Sequence, residues 1–449
     1  MSKNHKMFWT WDHCTNWTLN SPGNVNCGSG NAYTKLPGVF QKDYKRAIRW
    51  CAEHGVDGIG IVGLLRDKHG GVEAAKEVCG YARERGVRIY MIAGLYGYGG
   101  IYHEGNHPYS LDCFLKAHPQ CMGRLADGSP MVRVWHSPSG GSQAELGGCP
   151  SNPDLKDFVL ESLDWVFKEI PDLGGIQMET TDLGFCMCDR CRTRRGGNPA
   201  VASAISITDM ADIYPDAVRT VLGRSPDAWA ICETYHHFLP KNIDLNRFGF
   251  GITPETCQSL AAIPESAFLQ WVCDHALATD SWHEGDMMPE CLRKHRHIMR
   301  SHFGTYWFRN CRHGLEVERI RQQCRLSHLS GVRGISLFGE SSVFHPGAEF
   351  NYLAMVYFTD HPLASLGDFA GDVMGPRLGG TELAERYVAL AATAKKTAAI
   401  PAAEKEIIGL LGKLPDAESA RRWVHLASYL NTYLWESRQN EIEEQEGKG

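Results

Sequence analysis

The strongest constraint on this chain is an alternation. Eight short apolar runs are separated by segments with helical periodicity. The runs are MFWTW (Met7–Trp11), GVDGIGIVG (Gly55–Gly63), GVRIYMIAG (Gly86–Gly94), GGIQMET (Gly174–Thr180), AWAICET (Ala228–Thr234), FLQWVCD (Phe268–Asp274), GTYWFRN (Gly304–Asn310) and GVRGISLFGE (Gly331–Glu340). Most are too short and too continuously apolar for a sheet with one wet face, and read as parallel strands covered on both sides. Between them, FQKDYKRAIRWCAEHG puts Tyr44, Ile48 and Cys51 on one face and stops at Gly55, a C-cap. SNPDLKDFVLESLDWVFKEI opens on a capping Ser151 or Asn152, with Pro153 where a missing N–H costs little. The pattern predicts an α/β fold, a (β/α)8 TIM barrel over residues 1–345. Residues 346–449 read as a helical extension packed on it. A doubly wound open sheet is the weaker reading, because no phosphate-binding glycine fingerprint follows the first strand.

In such a barrel, the residues that end the strands face one shared pocket. Those residues are Trp11, Asp12 and His13, then Arg66, Tyr96 with Tyr98, Glu179 with Asp182, Glu233 with Tyr235, His236 and His237, Asp274 with His275, Trp307 with Arg309 and Asn310, and Glu340. Buried charges are costly unless partnered, so carboxylates, imidazoles and rings rarely collect this way by accident. Two carboxyl groups across a small pocket can divide acid and base roles. Aromatic platforms beside them suit sugar rings. Each residue also has a plainer reading: a strand-end Glu can be a structural ion pair with Arg66 or Arg309, and Asp274–His275 can be a pair that orients one of the acids. Two loops, 95–148 and 180–199, leave the same end of the barrel and are too long to be simple connectors.

The second loop carries Cys186, Cys188 and Cys191 in a C-x-C-x2-C spacing. Closely spaced thiols in a reducing compartment suit zinc, and a closed structural site wants four ligands, with Cys149 the candidate fourth. Free or partly disulfide-bonded thiols are the alternative.

Composition removes other classes. The net charge is −6, and the one dense basic cluster, Arg190–Arg195, is short and interrupted, which argues against a nucleic-acid surface. No membrane-length apolar run and no secretory leader is visible, so a cytoplasmic protein with reduced thiols is expected, with homo-oligomerisation left open.

FLKAHPQCMGRLADGSP resembles the "acid-HP-x-x-(F/W/M)-G-x-x-x-DG" loop of the alpha-glucuronidase-like and beta-N-acetylhexosaminidase-like barrel superfamily, with Ala117 in place of the acid. GGCPSNPDLKDFVLESLDWVFKEIPDLGGIQMETTDLGFCMCDRC resembles the following section of those proteins. There, a C-x-SNP element opens a helix and a strand-end acidic segment precedes a cysteine-rich loop. EFNYLAMVYFTDHPLASLGDFAGDVMGPRLGG resembles their C-terminal helical part. The resemblance implies a carbohydrate-active barrel with Glu179 as the strand-four acid, and it groups Cys149 with the later cysteines. The adjacent Asp-Glu pair of the acetamido-assisted enzymes is absent, since Met178 precedes Glu179. Strand seven offers Trp307, Arg309 and Asn310 rather than a carboxylate nucleophile.

The function expected is therefore glycoside hydrolysis of an oligosaccharide or glycoside, acidic sugars included. Glu179 would be the acid, and Glu233 or Glu340 the base or nucleophile. No catalytic cofactor is needed. The alternatives are a non-catalytic carbohydrate-binding barrel, or a metal-dependent isomerase or aldolase using Asp274, His275 and His236.

Overall fold

A computed structural model describes residues 4–18, 38–136, 142–179, 184, 186–195, 207–237, 254–305 and 314–446. Its strands are β1 (His5–Trp11), β2 (Gly58–Val62), β3 (Arg88–Gly94), β4 (Val132–His136), β5 (Ser142–Leu146), β6 (Gly175–Glu179), β7 (Trp229–His237), β8 (Phe268–Val272), β9 (Arg296–Ser301) and β10 (Gly334–Phe338). Eight of them close into a barrel in the order β1-β10-β9-β8-β7-β6-β3-β2. Every neighbouring pair in that ring is parallel. Helices intervene between the strands, and the chain is a (β/α)8 barrel.

The period-2 alternation of strands sorts side chains into two layers. Met7, Trp9, Trp11, Val62, Tyr90, Ile92, Trp229, Ile231, Phe268, Ile298 and Phe338 pack together inside the barrel. Their sequence neighbours Phe8, Ile61, Met91, Met178, Cys232, Leu269, Met299 and Leu337 join the core between the strands and the helices. Large rings need room in a narrow barrel, and Gly60 supplies it: a Cβ there would lie 2.3 Å from the Tyr90 ring. The floor is closed by His5, which meets Trp229 and Phe268 edge-on.

Local signals in the sequence behave as the chemistry requires. Helix Val39–His54 ends at Gly55 in the left-handed region (φ 68°). Helix Pro153–Glu169 is capped by Asn152, whose side chain accepts from Leu155 N at 3.3 Å. Helix Pro346–Asp360 covers β1 and β10. The long helix Ala417–Glu446 is held to it by Arg422, whose Nε and Nη2 donate to both carboxylate oxygens of Glu349 at 2.8 and 2.7 Å. No described helix is long and apolar enough to cross a membrane.

Three features differ from expectation. The seventh barrel strand is Arg296–Ser301, not Gly304–Asn310; Gly304 and Thr305 lie past its end, and 306–310 lie outside the described residues. The true strand reads RHIMRS and hides its apolar character behind two arginines and a histidine. The loop between β3 and its helix carries an antiparallel hairpin, β4 with β5. Finally, not all thiols are reduced: Cys257 and Cys291 form a disulfide with Cα atoms 6.6 Å apart.

His297 makes β9 sensitive to acid. Its Nδ1 accepts from Trp271 Nε1 at 3.1 Å, while its Nε2 donates to Leu292 O at 2.9 Å, so the ring is neutral in one tautomer. Burial brings its pKa down to about 4. The unfolded chain therefore binds more protons between pH 6.5 and 4, and stability falls as pH falls through that window. Denaturant unfolding at pH 7 and pH 5 should differ by about 2 kcal/mol more in the wild type than in His297→Gln, which removes this titration.

Candidate active site at the barrel mouth

Alternation fixes what faces the upper end of the barrel. On β6, Met178 belongs to the outer core, so Glu179 faces inward; on β7, Cys232 is outer and Glu233 inner. The two strands are paired in register up to Met178 and Cys232, which places the glutamates side by side at the next position. Glu179 is 4% exposed and Glu233 is fully buried. Tyr214 pins the two backbones from outside: its hydroxyl donates to Met178 O at 3.1 Å and to Glu233 O at 2.5 Å. Thr234 Oγ1 in turn donates to Gln270 O of β8 at 2.8 Å.

Arg300, the inward residue near the end of β9, reaches across β8. Its Nη2 donates to Glu233 Oε1 at 2.9 Å, and both side chains are buried. The guanidinium lies over the rings of Trp9 (5.4 Å) and Phe338 (5.9 Å). Two residues on, His302 Nδ1 is 3.1 Å from Asp274 Oδ1, which also accepts from His302 N at 2.9 Å, and the imidazole stacks on Phe338 at 4.4 Å. Burial raises the Asp274 pKa, but His302 and Arg300 outweigh it and leave the group below its ordinary value.

The opposite wall is built differently. Glu340, fully buried, follows β10, four strands around the ring from β6, and its Oε1 accepts from Trp11 N at 3.0 Å. Asp12 accepts from Arg66 Nε at 2.7 Å and from Nη2 at 3.2 Å, and the Arg66 Nη1 pairs with Glu104. His13 Nδ1 and His69 Nε2 approach the same carboxylate at 3.1 and 3.5 Å. Burial pushes the Asp12 pKa up, yet Arg66, with both imidazoles, holds it well below the carboxylate range. Gly63 (φ 77°) makes the network possible, since a Cβ there would sit 2.5 Å from Asp12 Oδ1. Trp11 meets Tyr98 edge-on at 5.7 Å. Tyr98 holds a left-handed backbone (φ 51°), and its N–H donates to Glu145 of β5. The hairpin thus positions one wall of the mouth.

The structure therefore gathers Trp11, Asp12, Arg66, Glu179, Glu233, Asp274 and Glu340 at one end of the barrel. Arg66 is committed to Asp12 and Glu104 through all three of its nitrogens rather than open to a sugar carboxylate. Tyr96, expected in the pocket, packs instead in the outer core, fully buried, because the alternation lapses after β3 ends at Gly94. Tyr98 takes the inner place. His275, on helix Asp274–Ala278, is not the residue Asp274 hydrogen-bonds; His302 is. Tyr235 and His236 are described only as strand backbone, while Asp182, Trp307 and Arg309 lie outside the described residues. Arg300, His302 and Phe338 escaped the sequence reading. The alternation of IMRS within 298–301 was the available signal for the first.

Cys149, Cys186, Cys188 and Cys191 have sulfurs all within 4.8 Å of one another. Cys149 Sγ is 3.6 Å from Cys188 Sγ and 3.7 Å from Cys191 Sγ. A tetrahedral site with metal–sulfur bonds of about 2.3 Å has sulfur–sulfur edges of about 3.8 Å, so the set fits a tetrathiolate. Backbone and side-chain donors surround it: Arg124 N to Cys186 Sγ at 3.4 Å, and Arg195 Nη2 to Cys186 O at 2.6 Å. Hydrogen bonds from Cys149 and Cys191 hold the Cys186 thiol below the usual range. Among the described side chains, these cysteines are the group with metal-ligand spacing.

No protein-family model matches this chain, and no curated protein matches it. Solved structures do. A GH138 enzyme targeting pectin rhamnogalacturonan II aligns over 96% of this chain and 57% of its own, at 9% identity and a TM-score of 0.50. An Anoxybacillus alpha-amylase aligns over 80% of this chain and 79% of its own, at 10% identity and a TM-score of 0.46. A maltogenic alpha-amylase from Thermotoga neapolitana aligns over 79% and 76%, at 11% identity and a TM-score of 0.42. At 9% identity the likeness to the GH138 enzyme is one of fold alone.

Proposed function

We propose that this protein is a glycoside hydrolase in which Glu179 and Glu233 are the two catalytic carboxylates. The observation that carries the reading is their placement, side by side at the inner ends of adjacent parallel strands, under a wall of Trp9, Trp11, Tyr98 and Phe338. Glu179 protonates the leaving oxygen; Glu233 attacks the anomeric carbon and is later displaced by water. Glu340 stands on the far wall and secures the backbone at Trp11. Neighbouring strands lie about 4.8 Å apart, which favours the separation of about 5–5.5 Å used by retaining enzymes over the wider gap of inverting ones. Proton NMR of the first-formed anomer from an active aryl glycoside should show retention; inversion would remove Glu233 from the role of nucleophile. A panel spanning aryl glycosides and uronic-acid oligosaccharides selects the substrate. An acidic sugar draws no support from Arg66, whose nitrogens are all engaged.

We also propose a structural zinc in the four thiolates. When bound, it supplies cross-linking rather than chemistry, since all four positions are filled by sulfur. Cys149 precedes the helix leading into β6 and the other three follow β6, so the site ties together the two ends of the unit that carries Glu179. Purified protein should contain about one zinc per chain, and Cys188→Ser should lose the metal and lower the melting temperature. A metal-free preparation with an unchanged melting curve would refute the site. The free thiols at the eight described cysteines outside that site support a cytoplasmic location, against which the Cys257–Cys291 disulfide stands.

A further inference from the structure

We infer that Tyr214 is a positioning residue: its hydroxyl holds together the two strand ends that carry Glu179 and Glu233, and so sets the gap between the two carboxylates. The catalytic meaning of that gap rests on the glycosidase reading above; the geometry does not.

The two strands are paired by hydrogen bonds only up to the acids. β6 and β7 run in register from Gly175 with Trp229 to Met178 with Cys232, and both glutamates come one residue later. Beyond that point β7 slips in register against β8, between Glu233 and His237. A ladder fixes the spacing of its strands as far as its hydrogen bonds run. At the next position a side chain takes over. The Tyr214 hydroxyl shares its proton between Met178 O at 3.1 Å and Glu233 O at 2.5 Å. Met178 O belongs to the peptide that enters Glu179, and Glu233 O to the peptide that leaves Glu233. One hydroxyl thus grips a peptide plane on each acid. Tyr214 is fully buried, where a phenol needs a hydrogen-bond partner, and phenylalanine would fill the same space without bridging the strands.

A clamp positions other groups when it is itself fixed. Tyr214 opens helix Tyr214–Arg224, and Lys156 of helix Pro153–Glu169 holds that first turn, with Nζ 2.8 Å from Asp216 Oδ2 and 3.4 Å from Asp212 O. From the other side, Asp209 lies fully buried in the short helix Ile207–Ala211 that leads into it, and accepts from Arg195 Nη1 at 2.6 Å. The same guanidinium donates to Cys186 O at 2.6 Å. Helix Pro153–Glu169 follows Cys149, and Arg195 follows Cys191. Both ends of the cysteine cluster therefore bear on the ring that spaces the acids.

Tyr214→Phe keeps the ring and deletes the bridge. Crystal structures of the full-length wild type and variant should show the Glu179 and Glu233 carboxylates displaced relative to one another by at least about 0.5 Å, the tolerance of a productive constellation. On an active aryl glycoside, assayed well below both melting temperatures, kcat should fall by about 10–10²-fold while KM changes by less than about threefold, because misplacement of the acids affects the transition state more than binding. A hydroxyl with a purely structural role would lower the melting temperature and leave kcat alone. Asp209→Asn, which takes the carboxylate from Arg195, should shift the Tyr214 hydroxyl and lower kcat in the same direction; it also serves if the phenylalanine variant does not fold. In whichever variant folds, carboxylates that superpose on those of the wild type, or an unchanged kcat, overturn the inference. If no glycoside is turned over by the wild type, the glycosidase reading fails, while the crystal comparison still decides the role of Tyr214.

Discussion

Glu179→Gln and Glu233→Gln should each lower kcat on an active glycoside by at least about 10²–10⁴-fold, the range expected for loss of a positioned acid or base, while leaving the barrel folded. The two losses should differ in kind. Removing the acid matters less to the first step when the leaving group departs without a proton, so Glu179→Gln should keep most of its kcat/KM on a dinitrophenyl glycoside, with kcat limited by the unassisted attack of water, and lose kcat/KM on an alkyl glycoside. Removing the nucleophile affects both substrates alike. Both changes are isosteric and preserve the packing of a buried site. Glu233→Gln leaves Arg300 buried beside a neutral amide and should melt lower. Turnover by Glu179→Gln equal to wild type on an alkyl glycoside would exclude it as the acid.

The second large effect concerns stability. Arg66→Met should destabilise the fold by about 3–5 kcal/mol, because it leaves the fully buried Asp12 carboxylate without its main cation. Asp12 has a folded pKa below its unfolded one. Its contribution is therefore present above about pH 4 and is lost as pH falls through the lower folded value. In Arg66→Met that acid limb should flatten, since burial then works against the charge with only His13 and His69 opposing it. The double variant Asp12→Asn/Arg66→Met should recover part of the loss, as both charges are gone. Equal denaturant midpoints for Arg66→Met and wild type would show that the network contributes nothing.

Much of this molecule is legible in its sequence. Seven strands announce themselves as apolar runs because both faces of a barrel strand are buried. The inner acids Glu179 and Glu233 follow from where those runs stop. Cys149 could be grouped with Cys186, Cys188 and Cys191 although it lies 37 positions before the nearest of them. What escaped did so for physical reasons. β9 exchanges apolar inner residues for Arg300, whose carboxylate partner Glu233 lies 67 positions away. Tyr96 and Tyr98 could not be told apart because alternation ends with the strand. The choice between them is made by Glu145, on a hairpin whose pairing is a tertiary fact. His302 was hidden by the misplaced seventh strand.

The aromatic floor has a consequence for traffic. His5, Trp229, Phe268 and Tyr90 pack ring against ring below the acids and fill the barrel axis at that end. A polymer therefore cannot thread along the barrel axis, and any product of the proposed hydrolysis must leave on the side from which its substrate came.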